Sequence, residues 1–424
     1  MLDIAAACLV ITALFSWFNH RFVRLPTTIG VMAIALLVSL LIVGLESAGL
    51  SQALRRYEES LVHSIDFSDV LMQGMLSLLL FAGALHVDLG ELKAQWWSVA
   101  GLALVGTLLS TLLVGFLLWY ALTLMTLPLP LGYCLVFGAL ISPTDPIAVM
   151  GIMKSAGAPK KLELVIAGES LFNDGVGVVI FAVLVGMLAS GAPPSVETAG
   201  IMLLREAGGG IVFGLALGFL TYALLKSVDN YQVEVLLTLA AVTGGYALAN
   251  RLHVSGPLAM VVTGLIVGNY GRADAMSDVT LRYVDMFWEL LDEILNAVLF
   301  VLIGMEVLLV SLSSTLLLAG AAAIVVTLFA RWLSVGLPMS ALGARLGLPA
   351  GSWRVLTWGG LRGGISVALA LSLPAGPERD TILTLTYCVV VSSILVQGLT
   401  IGRVVRASMR HAGQRAHLRS NQRP

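Results

Sequence analysis

Charged side chains are scarce in this chain of 424 residues. Asp, Glu, Lys and Arg together make up 12% of it, whereas hydrophobic residues make up 58%, and the mean hydropathy is +0.95. Soluble globular domains carry roughly twice that fraction of charged residues. The composition therefore excludes an ordinary soluble protein and predicts an all-α polytopic membrane protein, in which apolar helices cross the bilayer.

Cysteine, clustered histidine and hydrolase motifs are also rare or missing. The three cysteines lie in apolar runs without a Cys-x-x-Cys spacing, which indicates packing residues rather than a disulfide framework. The six histidines are scattered, so a transition-metal cluster is not expected. No Gly-x-Ser-x-Gly elbow, His-Glu-x-x-His motif or convincing pair of catalytic aspartates occurs. We therefore expect neither an enzyme nor a bound cofactor, and no nucleic-acid partner.

Apolar runs of helix length occur about thirteen times along the chain. They predict transmembrane helices near residues 2–19, 27–45, 69–87, 97–121, 131–153, 162–189, 200–225, 232–250, 256–270, 288–309, 313–340, 352–373 and 380–402. The first run is expected to be a retained span because Met1-Leu2-Asp3 begins no basic region and no cleavage signal follows. Residues 1–402 thus form a predicted transmembrane domain, and residues 403–424 form a short basic tail.

Basic residues in the loops predict the orientation of the chain. Seventeen Lys and Arg residues fall on one side, the tail included, against five on the other side, and two lie inside spans. Cytoplasmic loops carry the excess of Lys and Arg, so the C-terminus is predicted in the cytoplasm. Because the number of spans is odd, the N-terminus is predicted outside.

Two of the predicted spans contain residues that break a helix. The fifth holds Ile141-Ser-Pro-Thr-Asp-Pro146, in which two prolines remove backbone donors and disfavour helix before them. The twelfth holds Trp358-Gly-Gly-Leu-Arg-Gly-Gly364, whose glycines permit an unwound crossing. The breaks are an odd number of spans apart, so they predict two inverted six-helix repeats, about residues 1–190 and 232–402, with crossing discontinuous helices. This plan is typical of secondary transporters.

The sixth predicted span carries its polar side chains on one face. At 100° per residue, Glu169, Ser170, Asn173 and Asp174 fall within a sector of about 140°. Intramembrane carboxylates are costly and indicate a functional site by default. Oxygen ligands suit hard cations, and a carboxylate that holds either a cation or a proton is the simplest exchange device.

Three further charges lie at membrane depth. Arg331 in the eleventh span needs a carboxylate partner, and Glu169 is the expected one, which leaves Asp174 as the titrating group. Asp145 and Arg362 lie in the breaks. There Asp145 can complement the partial positive charge of helix N-termini, and Arg362 the partial negative charge of C-termini. Both could serve as scaffold without touching the substrate.

Four motifs, in order and spacing, resemble the sodium/proton antiporters of the NhaP and NHE type. They are Pro143-Thr-Asp-Pro146, Gly168-Glu-Ser-Leu-Phe-Asn-Asp174, Ala330-Arg331 and Gly359-Gly-Leu-Arg-Gly363. The resemblance covers the whole membrane region. It is to prokaryotic-type members, since no long cytoplasmic regulatory tail is expected. It implies the NhaA-like antiporter fold with a core and a dimerisation domain, a homodimer, and a place in the bacterial inner membrane.

The resemblance also implies roles for individual residues. Asp174 would bind the ion or the proton, Ser170 and Thr144 would supply ligands to Na⁺, and Asn173 would support the site. The supporting charges that it implies are a Glu169–Arg331 ion pair, with Asp145 and Arg362 at the helix crossing.

The expected activity is the exchange of a monovalent cation, Na⁺ and also Li⁺, for H⁺ by alternating access at a single site, for pH and sodium homeostasis. In relatives that carry two adjacent aspartates at these positions, the resemblance implies an exchange of two protons per cation. Here Asn173 holds the first position, so one-for-one, electroneutral exchange is expected unless Glu169 also titrates. The alternatives are a K⁺/H⁺ antiporter, a proton-coupled cation symporter and a cation channel. A channel is disfavoured because the charges collect at one depth rather than along a continuous path.

Overall fold

The computed structural model describes residues 2–47, 74–155, 157–190, 196–305, 313–343, 346–349 and 351–420. Within these ranges the chain is helical and has no β-strand. Seven described helices are long and apolar enough to cross a membrane: Ala6–Val23, Trp96–Leu124, Lys160–Ala189, Gly200–Leu225, Tyr231–Arg251, Ser314–Leu342 and Pro377–Ser408. The protein is therefore a multi-pass integral membrane protein.

The first half of the chain forms helices of very different lengths. They are α1 (Leu2–Phe18), α2 (Thr27–Ser47), α3 (Leu76–Leu85), α4 (Leu89–Ala94), α5 (Trp96–Ala100), α6 (Thr107–Leu124), α7 (Leu131–Ile141), α8 (Ile147–Ser155), α9 (Lys160–Ser190), α10 (Val196–Leu203) and α11 (Gly209–Leu225). Short π-helical segments follow α1, α5 and α10, at Asn19–Val23, Gly101–Gly106 and Leu204–Gly208.

The second half continues in the same way. Its helices are α12 (Tyr231–Arg251), α13 (Gly256–Ile266), α14 (Arg272–Asp274), α15 (Asp278–Met305), α16 (Ser314–Arg331), α17 (Leu337–Leu342), α18 (Ser352–Trp358), α19 (Gly364–Leu371), α20 (Pro377–Ser392) and α21 (Leu399–Ser420). π-Helical segments follow α13, α16 and α20, at Val267–Gly271, Trp332–Gly336 and Ser393–Gly398.

Polar residues placed just before a helix begin several of these elements. Asn230 before α12, Ser255 before α13 and Ser313 before α16 each accept a hydrogen bond from a backbone N–H of the first turn. Those N–H groups have no partner within the helix, so the caps stabilise its start. Such caps explain why short polar segments between apolar runs suffice to separate the helices.

Both predicted helix breaks are present. α7 ends at Ile141 and α8 begins at Ile147, so residues 142–146 are unwound around the two prolines. α18 ends at Trp358 and α19 begins at Gly364, which leaves residues 359–363 outside the helices. Proline removes the backbone donor that helix continuation needs, and glycine offers little resistance to unwinding.

The chain forms two compact units that interleave along the sequence. The first comprises Met1–Val87, Ile201–Leu312 and Val367–Tyr387, and the second comprises Asp88–Gly200, Ser313–Ser366 and Cys388–Pro424. Each unit therefore draws on both halves of the chain. The inverted repeats and the total of thirteen spans stay predictions.

In the first unit, α11 packs closely on α13. Gly210, Gly214 and Gly218 are buried and four residues apart, so they form one stripe along α11. A Cβ on Gly214 would lie 2.6 Å from the carbonyl oxygen of Ala259 on α13, and Thr263 Oγ1 donates to the Gly214 carbonyl at 3.1 Å. Small residues allow this approach, and dispersion contacts and hydrogen bonds then hold the helices together in lipid.

The second unit is built around α9, whose 31 residues span roughly 46 Å at 1.5 Å per residue. This helix packs against α4, α5, α6, α7 and α8. Gly177 of α9 lies directly against Pro143, because a Cβ at Gly177 would overlap the proline ring. The helix that carries the predicted carboxylates is thus in contact with the break after α7.

One predicted boundary is wrong by ten residues. The tenth span was expected to begin at residue 288 after a loop, but α15 begins at Asp278. Its first turns are amphipathic: Val284 and Trp288 are buried while Arg282 is exposed, and Asp285 pairs with Arg272. Charged residues on the outer face made this helical stretch resemble a loop in hydropathy.

Some sequence predictions concern residues that the structure does not describe. The beginning of the third predicted span and the basic residues Arg55, Arg56, Arg345 and Arg423 lie outside the described residues. The predicted basic tail continues α21 as a helix up to Ser420.

Candidate ion-binding site

The two unwound segments meet in the second unit. The backbone N–H of Asp145 donates to the carbonyl oxygen of Leu361 at 2.8 Å. Arg362 Nη1 donates to the carbonyl oxygens of Ser142 at 2.5 Å and Pro143 at 2.8 Å. These carbonyls follow the last turn of α7, where no helical N–H is available to them. The buried guanidinium therefore satisfies the C-terminal end of α7, as the sequence analysis anticipated for Arg362.

Asp145 lies where two interrupted helices begin. It comes two residues before α8, and a Cβ on Gly363, the residue before α19, would lie 2.5 Å from Asp145 Oδ2. Glycine at position 363 thus leaves the room that this carboxylate occupies. The partial positive charge at a helix N-terminus stabilises a nearby carboxylate. The dipole-complementing role of Asp145 stays a prediction.

Glu169 and Arg331 form a buried ion pair with two contacts. Arg331 Nη1 lies 2.5 Å from Glu169 Oε1, and Nη2 lies 3.0 Å from Oε2. Arg331 Nη2 also donates to the carbonyl oxygen of Leu356 at 3.1 Å. Glu169 is 1% exposed and Arg331 is 5% exposed, so each charge depends on the other for compensation. This is the partner that the sequence analysis expected for Arg331.

Thr144, Ser170 and Asn173 form one hydrogen-bonded group between α9 and the first break. Asn173 Oδ1 accepts from the Thr144 backbone N–H at 3.2 Å, and Asn173 Nδ2 donates to Thr144 Oγ1 at 2.9 Å. Thr144 Oγ1 lies 2.9 Å from Ser170 Oγ. All three residues are at most 2% exposed. The group fixes two hydroxyl oxygens next to the helix face that carries Asp174.

Asp174 differs from Glu169 in its surroundings. It is 8% exposed, and among the described residues its carboxylate has no hydrogen bond and no ion pair. Charged groups near it include Asp145, of the same sign, and Arg362, of opposite sign. Both carboxylate oxygens therefore have capacity to bind a cation or a proton.

The structure brings the predicted site residues into one unit. They are Thr144, Asp145, Glu169, Ser170, Asn173, Asp174, Arg331 and Arg362. Within it they divide into three groups: the helix crossing, the ion pair, and the hydroxyl and amide group beside Asp174.

Sequence reasoning missed several residues that support the crossing. The backbone N–H of Arg362 donates to Ser393 Oγ at 2.9 Å, and Gln397 Nε2 donates to the carbonyl oxygen of Trp358 at 3.0 Å. Gln397 thus satisfies the end of α18. An amide inside an apolar span was a usable signal for Gln397. A single serine such as Ser393 gives no signal, because a helical serine can satisfy itself on its own backbone.

Comparison with known proteins identifies the family. Residues 9–407 match the sequence model described as "Sodium/hydrogen exchanger, transmembrane". The chain belongs to the sodium/hydrogen exchanger family. Curated relatives include the Na⁺/H⁺ antiporter NhaP of Pseudomonas aeruginosa, which is 54% identical over 418 residues, 98% of each chain. The Na⁺/H⁺ antiporter NhaH of Halobacillus dabanensis is 35% identical over 379 residues, covering 88% of this chain and 91% of that one.

A solved exchanger structure has the same fold. The sodium proton antiporter MjNhaP1 of Methanocaldococcus jannaschii superposes with a TM-score of 0.77, covering 95% of this chain and 97% of its own, at 21% sequence identity. The predicted family and the predicted antiporter fold are therefore confirmed.

Proposed function

We propose that this member of the sodium/hydrogen exchanger family exchanges Na⁺ for H⁺, with Asp174 binding the two ions in alternation. The observation that carries the proposal is the contrast between two carboxylates on one face of α9. Glu169 is held by Arg331 through both oxygens, whereas Asp174 has no such partner among the described residues. A carboxylate free of a fixed cation can bind and release a mobile one.

Oxygen ligands for the cation are available beside Asp174. Ser170 lies one helical turn before Asp174 on α9, and its hydroxyl is hydrogen-bonded to that of Thr144. Na⁺ prefers hard oxygen donors, and hydroxyl and carboxylate oxygens together provide them. We therefore assign Asp174, Ser170 and Thr144 as the Na⁺ ligands, with Asn173 holding Thr144 in place.

The same contacts support one proton per cation. Asn173 uses its carbonyl and its amide group on Thr144, and an amide does not carry a titrating proton. Glu169 is neutralised by Arg331. Asp174 is then the group that changes protonation, so that one proton leaves for each Na⁺ bound and exchange is electroneutral.

The setting of this activity forms part of the proposal. The excess of basic residues in alternate loops supports a cytoplasmic C-terminus and an N-terminus outside. We propose a homodimer in a bacterial inner membrane that serves pH and sodium homeostasis without a cofactor. The named relatives are Na⁺/H⁺ antiporters of bacteria, which supports this setting.

The test is cation-dependent dissipation of a preformed pH gradient in proteoliposomes. Wild-type protein should dissipate the gradient when Na⁺ is added, and Asp174→Asn should not, because the amide removes both the charge that binds the cation and the proton carrier. Asp274→Asn is the matched control, because it makes the same chemical change at an exposed residue of the short helix α14.

Each outcome has a distinct meaning. Substantial Na⁺-dependent exchange by folded Asp174→Asn protein would overturn the assignment of Asp174. Deepening of the gradient by Na⁺ would indicate symport. Dissipation by K⁺ with none by Na⁺ or Li⁺ would identify a K⁺/H⁺ antiporter built on the same site.

A further inference from the structure

A polar cavity lies in the first unit, where α1 ends. Its volume is about 510 Å³, and it is lined by Ser16, Asn19, His20, Arg21, Arg24, Leu25 and Thr27. Cavities of about 300–1,000 Å³ are typical of small-molecule sites, and a single water needs far less. The cavity is therefore large enough for a polyatomic headgroup.

The lining of this cavity suits an anion. It includes two arginines and a histidine, three side chains with hydroxyl or amide groups, and no Asp or Glu. Among the described residues, the guanidinium groups of Arg21 and Arg24 make no hydrogen bond and no ion pair. Arginine forms forked, charge-assisted hydrogen bonds with phosphate oxygens. Two arginines around one cavity, without a side-chain partner in the described part of the chain, thus indicate a phosphate group as the ligand.

Arg21 lies in the π-helical segment Asn19–Val23 and Arg24 follows it directly, and Asn19 holds the turn after this segment in shape. This side chain is 3% exposed, donates from Nδ2 to the Leu25 carbonyl at 2.9 Å, and accepts from the Leu25 N–H at 3.3 Å. The Arg24 N–H donates to the Asn19 carbonyl at 2.6 Å, and Arg24 adopts a φ of 57° in the left-handed region. A Cβ on Gly30 would overlap the Asn19 side chain, so glycine leaves space for it. Arg21 and Arg24 therefore lie on a hydrogen-bonded helix end and turn rather than on an irregular loop.

The surface beside the cavity suits lipid. Leu14, Trp17, Phe18 and Phe22 are exposed, and the ring of Phe22 lies 5.8 Å from that of Trp17 and 5.0 Å from that of Phe18. Aromatic side chains gather at the level of lipid headgroups, and basic pockets next to membrane helices bind anionic headgroups. A soluble phosphate would gain nothing from this apolar surface, whereas acyl chains would cover it.

We infer that the Arg21–Arg24 cavity binds the phosphate group of an anionic phospholipid, whose acyl chains lie against the exposed face of α1. Arg21 and Arg24 contact the phosphate oxygens, while Ser16 and Thr27 supply hydrogen bonds to the rest of the headgroup. The protein thereby carries a lipid site in the unit that does not contain the ion-binding residues.

The test is thermal unfolding of the full chain in detergent, titrated with phosphatidylglycerol, with phosphatidylcholine, and with inorganic phosphate or glycerol 1-phosphate. Phosphatidylglycerol should raise the unfolding midpoint of the wild type in a saturable way, and phosphatidylcholine should raise it less. The double variant Arg21→Gln with Arg24→Gln should need at least tenfold more phosphatidylglycerol for the same rise. The double variant Arg251→Gln with Arg282→Gln removes the same charge from exposed positions in the same unit and should respond as the wild type does.

Three results would overturn the inference. If phosphatidylglycerol raises the unfolding midpoint of the Arg21 and Arg24 double variant as it does that of the wild type, these arginines do not bind the lipid. If phosphatidylcholine raises the midpoint of the wild type equally, the site does not select anionic lipid. An equal effect of soluble phosphate at the same concentration would make it a phosphate site rather than a lipid site. If a variant is less stable without lipid, native mass spectrometry replaces thermal unfolding. It counts the phosphatidylglycerol molecules that the folded variant and the folded wild type retain.

Discussion

Glu169 and Arg331, 162 residues apart in the sequence, form a two-contact ion pair in which each nitrogen of the guanidinium fork faces one oxygen of the carboxylate. Both side chains are buried. A buried charge that loses its partner is left uncompensated, whereas the loss of both charges removes the problem. The pair is therefore a support for the site, and its energetics can be tested apart from ion binding.

We expect Glu169→Gln and Arg331→Gln each to destabilise the protein by roughly 3–5 kcal/mol, because each strands the opposite charge. The double variant should recover at least part of that loss. Thermal unfolding of the four proteins in detergent measures the coupling. A double variant whose loss equals the sum of the two single losses would show that the residues are not energetically paired.

Arg362 should be required for stability at the helix crossing. Arg362→Gln removes the guanidinium that bonds the carbonyl oxygens of Ser142 and Pro143, and buried carbonyls without partners cost about 1–3 kcal/mol each. Arg362→Lys keeps the charge and should fall between Gln and the wild type in unfolding midpoint. Arg282→Gln, at an exposed position, should change the midpoint little. Equal midpoints for Arg362→Gln and the wild type would contradict this role.

Two glycine-to-alanine substitutions should have opposite effects on stability. A Cβ at Gly177 would overlap the ring of Pro143, so Gly177→Ala forces α9 away from the break, and such overpacking costs about 1–3 kcal/mol. At Gly244 in α12 nothing lies within 4 Å of the added Cβ, so Gly244→Ala should gain roughly 0.5–1 kcal/mol from reduced backbone entropy in the unfolded state.

The comparison uses unfolding midpoints and Na⁺-dependent exchange rates of the two variants. Gly177→Ala should lower both, because the displaced segment carries Thr144. Gly244→Ala should leave exchange unchanged. Equal stability of the two variants would mean that the contact between α9 and Pro143 is not needed.

The sequence carried most of the information about the breaks and the buried charges. Prolines and glycines within apolar runs act locally, so the ends of α7 and α18 could be predicted to within a residue or two. Lone charges at membrane depth must be compensated, and this requirement predicts Glu169 as the ion-pair partner of Arg331. The bonds of Ser393 and Gln397 to the second break depend on packing between distant spans, which no local pattern reports.

Amphipathic helices limited the prediction elsewhere. The first turns of α15 expose Arg282 while burying Val284 and Trp288, so their average hydropathy is that of a loop. Only a periodicity of 3.6 residues distinguishes such a segment from a polar connection. The cavity near Arg21 and Arg24 was likewise invisible, because it depends on a turn closed by Asn19 rather than on a motif.

The last prediction concerns the competition between Na⁺ and H⁺ for Asp174. The Asp174 carboxylate has no fixed partner among the described residues, and it does not hold a proton while coordinating a cation with full charge. Well below the pKa of Asp174, each decrease of one pH unit should therefore raise the Na⁺ concentration needed for half-maximal exchange about tenfold. The reason is that one proton must leave for each cation that binds. The maximal rate should change little, so saturating Na⁺ should restore the activity that moderate acid removes.

The measurement is the initial rate of exchange against Na⁺ concentration in proteoliposomes, at four or five pH values imposed equally on both faces. A pH sensor separate from the ion site would act differently: acid would lower the maximal rate, and added Na⁺ would not recover it. A tenfold change per pH unit follows from one proton per cation, and a hundredfold change would require a second titrating group, for which Glu169 is the candidate. If the Na⁺ concentration for half-maximal exchange does not change with pH, the single-site mechanism is rejected. The one-for-one stoichiometry inferred from Asn173 and Asp174 is then rejected with it.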